Sequence, residues 1–231
     1  MEPMLPKRGT SANPENRFER IHVECEEPGA PSPTRLFRDR SRSILAENDS
    51  PDIGFRYSVN PYRGCEHGCI YCYARPSHEY LGFSAGLDFE RNLLVTENAP
   101  ELLRATFAAP RWQPQLIALS GNTDCYQPIE RTLGVTRRCL EVFVEFRNPV
   151  AVITKGALVA RDADLLAALA ACGAASVRVS LTSLDPEVAR RMEPRASRPD
   201  RRLDAIATLA RAGVPVGVMV APVVPGLNDE E

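Results

Sequence analysis

Three thiols crowd one short stretch of the chain: Cys65, Cys69 and Cys72 in "RGCEHGCIYCYAR", with Tyr71 directly before the third. Thiolates so close together suit a soft metal, and two metal groups fit the count. A structural zinc takes four protein ligands, so His67 or His78 would have to complete a Cys3His set. A [4Fe–4S] cluster can be held by three thiolates, with one iron left open. Gly64 and Gly68 suit a loop that curls tightly round such a group with its amides facing the sulfides. Disulfide pairing explains less: the chain has 7 cysteines, an odd count, and clustered thiols in a reducing compartment are more often ligands or catalysts.

The elements that must present this loop follow from periodicity. Short apolar runs at 116–120 (LIALS), 150–154 (VAVIT), 176–181 (SVRVSL) and 214–221 (VPVGVMVA) read as buried strands, and 56–60 (RYSVN) as a weaker one. Between them "RDADLLAALAACG" predicts a helix with Asp162 as N-cap, Leu165, Leu166 and Leu169 on one face and Gly173 as the stop. "RRLDAIATLARAG" repeats the device with Leu203, Ile206 and Leu209, then Gly213 and Pro215. Asp185 with Pro186 marks another helix start. Alternating strands and helices imply an α/β fold with a mainly parallel sheet, doubly wound or barrel-like, whose ligands sit at the C-terminal strand ends. The first strand runs into the thiol loop, and later ones end in "SGNTDCYQP", "TKG", "SLTSLDP" and "APVVPGLN". Residues 1–50, rich in Pro, Ser, Arg and Asn without sustained apolar period, are expected to be an extended, partly disordered or wrapping segment ahead of a domain over 51–231.

Composition narrows the classes further. A chain of 231 residues with 44% hydrophobic and 25% charged residues is globular in kind and can build a sizeable core. No run of about 18 apolar residues and no secretory leader stands out, so no membrane partner and a cytoplasmic location are expected. The formal charge of −2 offers no overall attraction for nucleic acid. Its 28 basic residues comprise two lysines, Lys7 and Lys155, and 26 arginines.

C-x3-C-x2-C with an aromatic before the third cysteine, in the loop after the first strand of a βα chain, resembles the signature of the radical S-adenosylmethionine (SAM) enzymes. "SVNPYRGCEHGCIYCYAR", "TDCYQPIE", "ITKG…RD" and "RMEPRAS…RR" together are similar to the branch related to spore photoproduct lyase, over roughly residues 35–231. The resemblance implies a partial (β/α)6 barrel of TIM type, here apparently truncated after the fifth strand, with the missing βα unit expected beyond "PGLNDEE". It also implies a [4Fe–4S] cluster whose open iron chelates SAM, and reductive cleavage of SAM to a 5′-deoxyadenosyl radical that abstracts a substrate hydrogen. The electron would come from a donor such as flavodoxin or ferredoxin.

Carried onto this chain, the resemblance makes Cys65, Cys69 and Cys72 the cluster ligands and places Tyr71 and Tyr73 beside SAM, where ordinary loop packing is the other explanation. Thr123 and Asp124 occupy the place of SAM's amino group, or else form an Asx-type turn. Lys155 would pair with SAM's carboxylate, or be a solvated lysine. Ser180 would bond ribose or carboxylate, or simply pack in its strand. Cys125 stands near where lyase relatives keep a hydrogen-returning thiol and is the candidate catalytic residue. Cys139 and Cys172 read as core fillers, Cys25 as part of the extension, and Asn228 with its acidic neighbours as a cap for a fifth helix. Nucleic-acid repair by a lyase would have to rely on Arg35, Arg38, Arg40 and Arg42, which alternate with Asp39 and serines. The rival from another class is a non-catalytic Cys3His zinc protein that docks a partner.

Overall fold

The computed structural model describes residues 8–18 and 33–229; Cys25 and Lys7 lie outside them. Nine strands occur among these residues: β1 (Arg35–Arg38), β2 (Leu45–Glu47), β3 (Tyr57–Val59), β4 (Tyr62–Arg63), β5 (Asn92–Val95), β6 (Ile117–Leu119), β7 (Val150–Thr154), β8 (Ala175–Ser180) and β9 (Val216–Met219). The helices are α1 (Leu87–Arg91), α2 (Ala99–Phe107), α3 (Glu130–Leu133), α4 (Val135–Phe146), α5 (Ala163–Ala170), α6 (Pro186–Met192) and α7 (Pro199–Arg211), with 3-10 turns at Arg75–Leu81 and Ala157–Asp162. A six-stranded sheet runs β2-β3-β6-β7-β8-β9, parallel throughout except for β2, which pairs antiparallel with β3. A second sheet of three strands, β1-β5-β4, flanks it. No helix among the described residues is long and apolar enough to cross a membrane.

Register sorts the main sheet into two unlike faces. Val59, Ile117, Leu119, Val150, Val152, Val177 and Val179 share one face and are at most 1% exposed. They pack in one core with Leu140 and Phe143 of α4, Leu166 and Leu169 of α5, and Leu209 of α7. Each such side chain contributes about 1.5–3 kcal/mol on burial. On the other face Ser58, Ala118, Ala151 and Ser176 form one row of small residues, and Ile153, Arg178 and Gly217 form the next, with the Arg178 side chain lying against Gly217.

Several details depart from the sequence expectations. Residues 33–50 supply β1 and β2, both paired into sheets. Leu203 is 45% exposed, whereas Arg202 beside it is 1% exposed and takes the inward position on α7. Asp162 does precede α5, but its side chain caps nothing; it accepts from Tyr126 Oη (3.0 Å), Arg137 and Arg161 instead. The helix expected after Asn228 lies outside the described residues; the Asn228 amide donates to Thr182 O (2.7 Å) and Pro222 O (2.9 Å), and its oxygen accepts from Val224 N (2.6 Å). Asp185 caps α6 as expected, accepting from Glu187 N at 2.7 Å. Strand β9 is one of the two edge strands of the sheet, and Val218 (48%) in it and Val220 (59%) and Val223 (56%) after it are exposed.

Residues 8–18 lie across the segment 64–90 as a strap. Arg8 donates to Glu90 O (2.6 Å), Gly9 N to Glu90 Oε2 (2.9 Å), Asn13 pairs with Asp88 in both directions (2.9 Å), and Arg17 bridges to Glu79 (2.5 Å).

Candidate functional site

The chain leaves the main sheet at Asn60, joins the small sheet through β4, and then curls into the thiol loop. Gly64 (φ +84°) and Gly68 (φ +67°) adopt the left-handed backbone that favours glycine, and a Cβ on Gly68 would come within 2.8 Å of Glu90 Oε2. Polar side chains lace the loop from outside its own segment. Gln127, fully buried, accepts from Glu66 N (2.9 Å) and donates to Gly64 O (3.1 Å). Arg75 joins Cys69 O (3.0 Å) to Glu90 Oε1 (2.6 Å), and Arg195 reaches Glu66 Oε1 (3.1 Å).

The three loop thiols are free, Cys65 and Cys69 buried and Cys72 half-buried. Burial, reinforced by Asp124 and Cys69, pushes the Cys65 thiol well up, against the opposing pull of the Asp124 and His67 backbone. Burial likewise pushes Cys69 up to about 12, against the pull of the Lys155 ammonium. Buried thiols beside carboxylates bind protons tightly until a cation replaces them, which is the chemistry of a metal-thiolate loop. Among the described residues, no three His, Cys, Asp or Glu side chains converge as they would on a single ion. A lone zinc, about 2.3 Å from each sulfur, needs its ligands about 3.8 Å apart; a cluster takes each thiolate on a different iron and suits a wider spread. The histidines also decline the fourth place. His67 Nδ1 lies 3.3 Å from Asp124 Oδ2, outside hydrogen-bond geometry, and His78 is stacked on Phe83 and set edge-on to Phe89, with burial lowering its basicity. Neither observation favours the zinc reading.

Two carboxylates flank this loop, one after a strand and one after a helix. Asp124, after β6, accepts from Tyr126 N (2.8 Å), Thr154 Oγ1 (2.7 Å) and Lys155 N (2.7 Å). The first of these is the Asx turn offered by the sequence. Burial alone would raise the Asp124 carboxyl, but His67, the Lys155 amide and Thr154 hold it well below the usual range. Glu193, just after α6, accepts from Thr182 Oγ1 (2.6 Å), from Tyr71 Oη and from Arg202. Burial again works against ionisation, and Arg202, Thr182, Tyr71 and Lys155 keep its carboxyl below the ordinary value. Burial foremost raises the Tyr71 phenol, with Cys69 and Glu193 adding to it.

The remaining expected residues fall in different places. Lys155 Nζ lies over the Tyr71 ring, 5.7 Å from its centroid. Tyr73 is 77% exposed and donates to Gly121 O. Thr123 is buried, its hydroxyl donating to Tyr62 O (2.5 Å) and its N–H to Asn60 Oδ1 (3.3 Å). Ser180 is buried at the end of β8, where its carbonyl accepts from Arg202 (2.8 Å). Cys125 sits in the main core, 0% exposed, with Sγ 3.9 Å from Leu119 O, so it does not open onto the thiol loop. Cys139 also lies in that core and Cys172 is exposed. Sequence reasoning assigned no role to Gln127, Glu66, Glu193, Thr182 or Arg202. Only Arg202 carried a local signal, a charge on the same helical face as Ala205 and Leu209.

The sequence profile of the radical SAM superfamily matches residues 59–231. An uncharacterised protein of Mycobacterium tuberculosis is 42% identical over 177 residues, covering 77% of this chain and 52% of the relative. One from Methanocaldococcus jannaschii is 29% identical over 180 residues, covering 77% of this chain and 64% of that protein. The chain thus spans about half the length of the mycobacterial relative. Among solved structures, spore photoproduct lyase complexed with dinucleoside spore photoproduct superposes with a TM-score of 0.60 at 20% identity, over 82% of this chain and 52% of the lyase. A variant of that lyase with bound AdoMet and dinucleoside spore photoproduct gives 0.59 at 21% identity, over 81% and 51%. At these identities the likeness is one of fold.

Proposed function

Because this chain belongs to the radical SAM superfamily, we propose that Cys65, Cys69 and Cys72 hold a [4Fe–4S] cluster and that the chain uses it on S-adenosylmethionine. The observation that carries this reading is the placing of three free thiols on one loop, Cys65 and Cys69 buried, with the Lys155 ammonium over the ring of Tyr71, which stands between Cys69 and Cys72. That cluster, when bound, supplies the electron that cleaves SAM and frees a 5′-deoxyadenosyl radical for hydrogen abstraction.

The protein's own part is to bind and to orient. Lys155 offers a compact cation to the SAM carboxylate, with Tyr71 under its ammonium. Asp124, its oxygens engaged by internal donors, positions the backbone of Lys155. Tyr73 lies at the exposed rim, Thr123 and Ser180 support it from buried positions, and the sheet face opposite the main core is the concave wall of a partial barrel. Cys125, enclosed in the core, has a packing role in this reading. The reductant is of the flavodoxin or ferredoxin class.

Anaerobic reconstitution with iron and sulfide tests the proposal. About four irons and four sulfides per chain are expected, with slow reductive cleavage of SAM to 5′-deoxyadenosine and methionine. Stoichiometric zinc without visible absorbance would overturn it. Salt-sensitive submicromolar binding of DNA or RNA would move the substrate to nucleic acid.

A further inference from the structure

We propose that Glu193, held by Arg202, is a positioning residue for the thiol loop and that its buried charge sets how readily the group held there is reduced. The inference rests on the reading that the three thiols hold an iron–sulfur cluster.

Glu193 is 2% exposed and Arg202 is 1% exposed. The guanidinium that pairs with Glu193 also donates to Ser180 O (2.8 Å) and Ser197 O (2.6 Å), so it is fixed to the end of β8 and to the approach to α7. A carboxylate anchored this firmly has one place to aim its other oxygen, and it receives Thr182 Oγ1 (2.6 Å) and Tyr71 Oη there. Tyr71 stands between Cys69 and Cys72 in the chain. Anchoring its phenol therefore fixes the backbone that carries two of the three thiols. Backbone bonds on either side of Glu193 repeat the attachment: Ile70 N donates to Met192 O (3.0 Å) and Arg195 N to His67 O (3.1 Å). Residues 192–195 thus form the loop's second wall.

The redox part follows from Coulomb's law. A negative charge near a metal–sulfur group opposes the arrival of an electron, and low-dielectric surroundings strengthen the effect. Net charge and hydrogen bonding are levers that set such potentials. Replacing Glu193 by glutamine keeps an acceptor for Tyr71 and Thr182 while deleting the charge. Replacing it by alanine deletes both.

Wild type, Glu193→Gln, Glu193→Ala and Tyr71→Phe would be reconstituted side by side, checked for folding by circular dichroism, assayed for iron, and titrated potentiometrically with dithionite. Glu193→Gln is expected to be less stable, because Arg202 loses its counter-charge, but its folded, reconstituted fraction is expected to show a less negative midpoint; a midpoint equal to wild type would overturn the charge assignment. Glu193→Ala is expected to lose most of its iron, and wild-type iron in the folded variant would overturn the positioning role. Tyr71→Phe covers the case in which Glu193→Ala does not fold: it should release iron to a chelator faster than wild type, and equal release would count against positioning. Iron-free wild type would instead overturn the cluster reading, and this inference with it.

Discussion

The thiol loop is braced by two carboxylates built in opposite ways. Asp124 is satisfied by its own neighbourhood along the strand ends: the N–H of Tyr126 two residues on, and the hydroxyl and N–H of Thr154 and Lys155 on the adjacent strand end. Glu193 depends on side chains brought from three separate elements, Tyr71 from the loop, Thr182 from the end of β8 and Arg202 from α7. Asp124 is thus a product of sheet geometry, whereas Glu193 is a product of tertiary packing and includes a buried counter-charge. Backbone donors at a strand end are present whenever the sheet forms. A buried ion pair exists only when both partners are in place, so the Glu193 brace should fail more abruptly.

Breaking that pair should have the largest effect. Arg202→Met leaves the Glu193 carboxylate buried without its cation and should lower stability by about 3–5 kcal/mol, measured by urea unfolding. Asp124→Ala should destabilise by roughly 2–3 kcal/mol through loss of a charged acceptor; an effect as large as that of Arg202→Met would erase the contrast between the braces. Lys155 donates its N–H to Asp124 and holds its ammonium over Tyr71, the partner of Glu193. Lys155→Ala should weaken SAM binding by about 2 kcal/mol, some thirtyfold in Kd, with iron content unchanged, as calorimetry and iron assay would show. Tyr71→Phe should cost about 1.5 kcal/mol of stability. Leu203→Ser, at an exposed site beside the critical arginine, should change the melting free energy by less than about 0.5 kcal/mol.

The last pair also shows what the sequence makes visible. The run 150–154 became β7 at its expected bounds because apolar residues fill a strand flanked on both sides by parallel neighbours. The thiol loop, the Asx turn at Asp124 and the cap at Asp185 were legible because each depends on residues close in sequence. On α7 the apolar pattern pointed to Leu203, yet Arg202 is the inward residue, because a guanidinium can be buried when a carboxylate nine positions earlier meets it. Strands β1 and β2 lay hidden for a related reason. Every residue of β1 is exposed, so its side chains carry no burial pattern and only the backbone of β5 selects it. Gln127 and Glu66 are bound through long-range polar contacts that leave no period to read.

The strap over the loop has a consequence in time. Its contacts join residues 62 to 82 positions apart, and a Cβ on Gly9 would run into Gly68 O. At a synthesis rate of about 5–20 residues per second, Arg8 precedes Glu90 by roughly 4 to 16 seconds. These residues are therefore made before the loop they cover and dock after it. Between the appearance of Cys72 and that of Glu90 the thiols exist without their cover, and delivery of metal during translation would meet the loop at its most accessible.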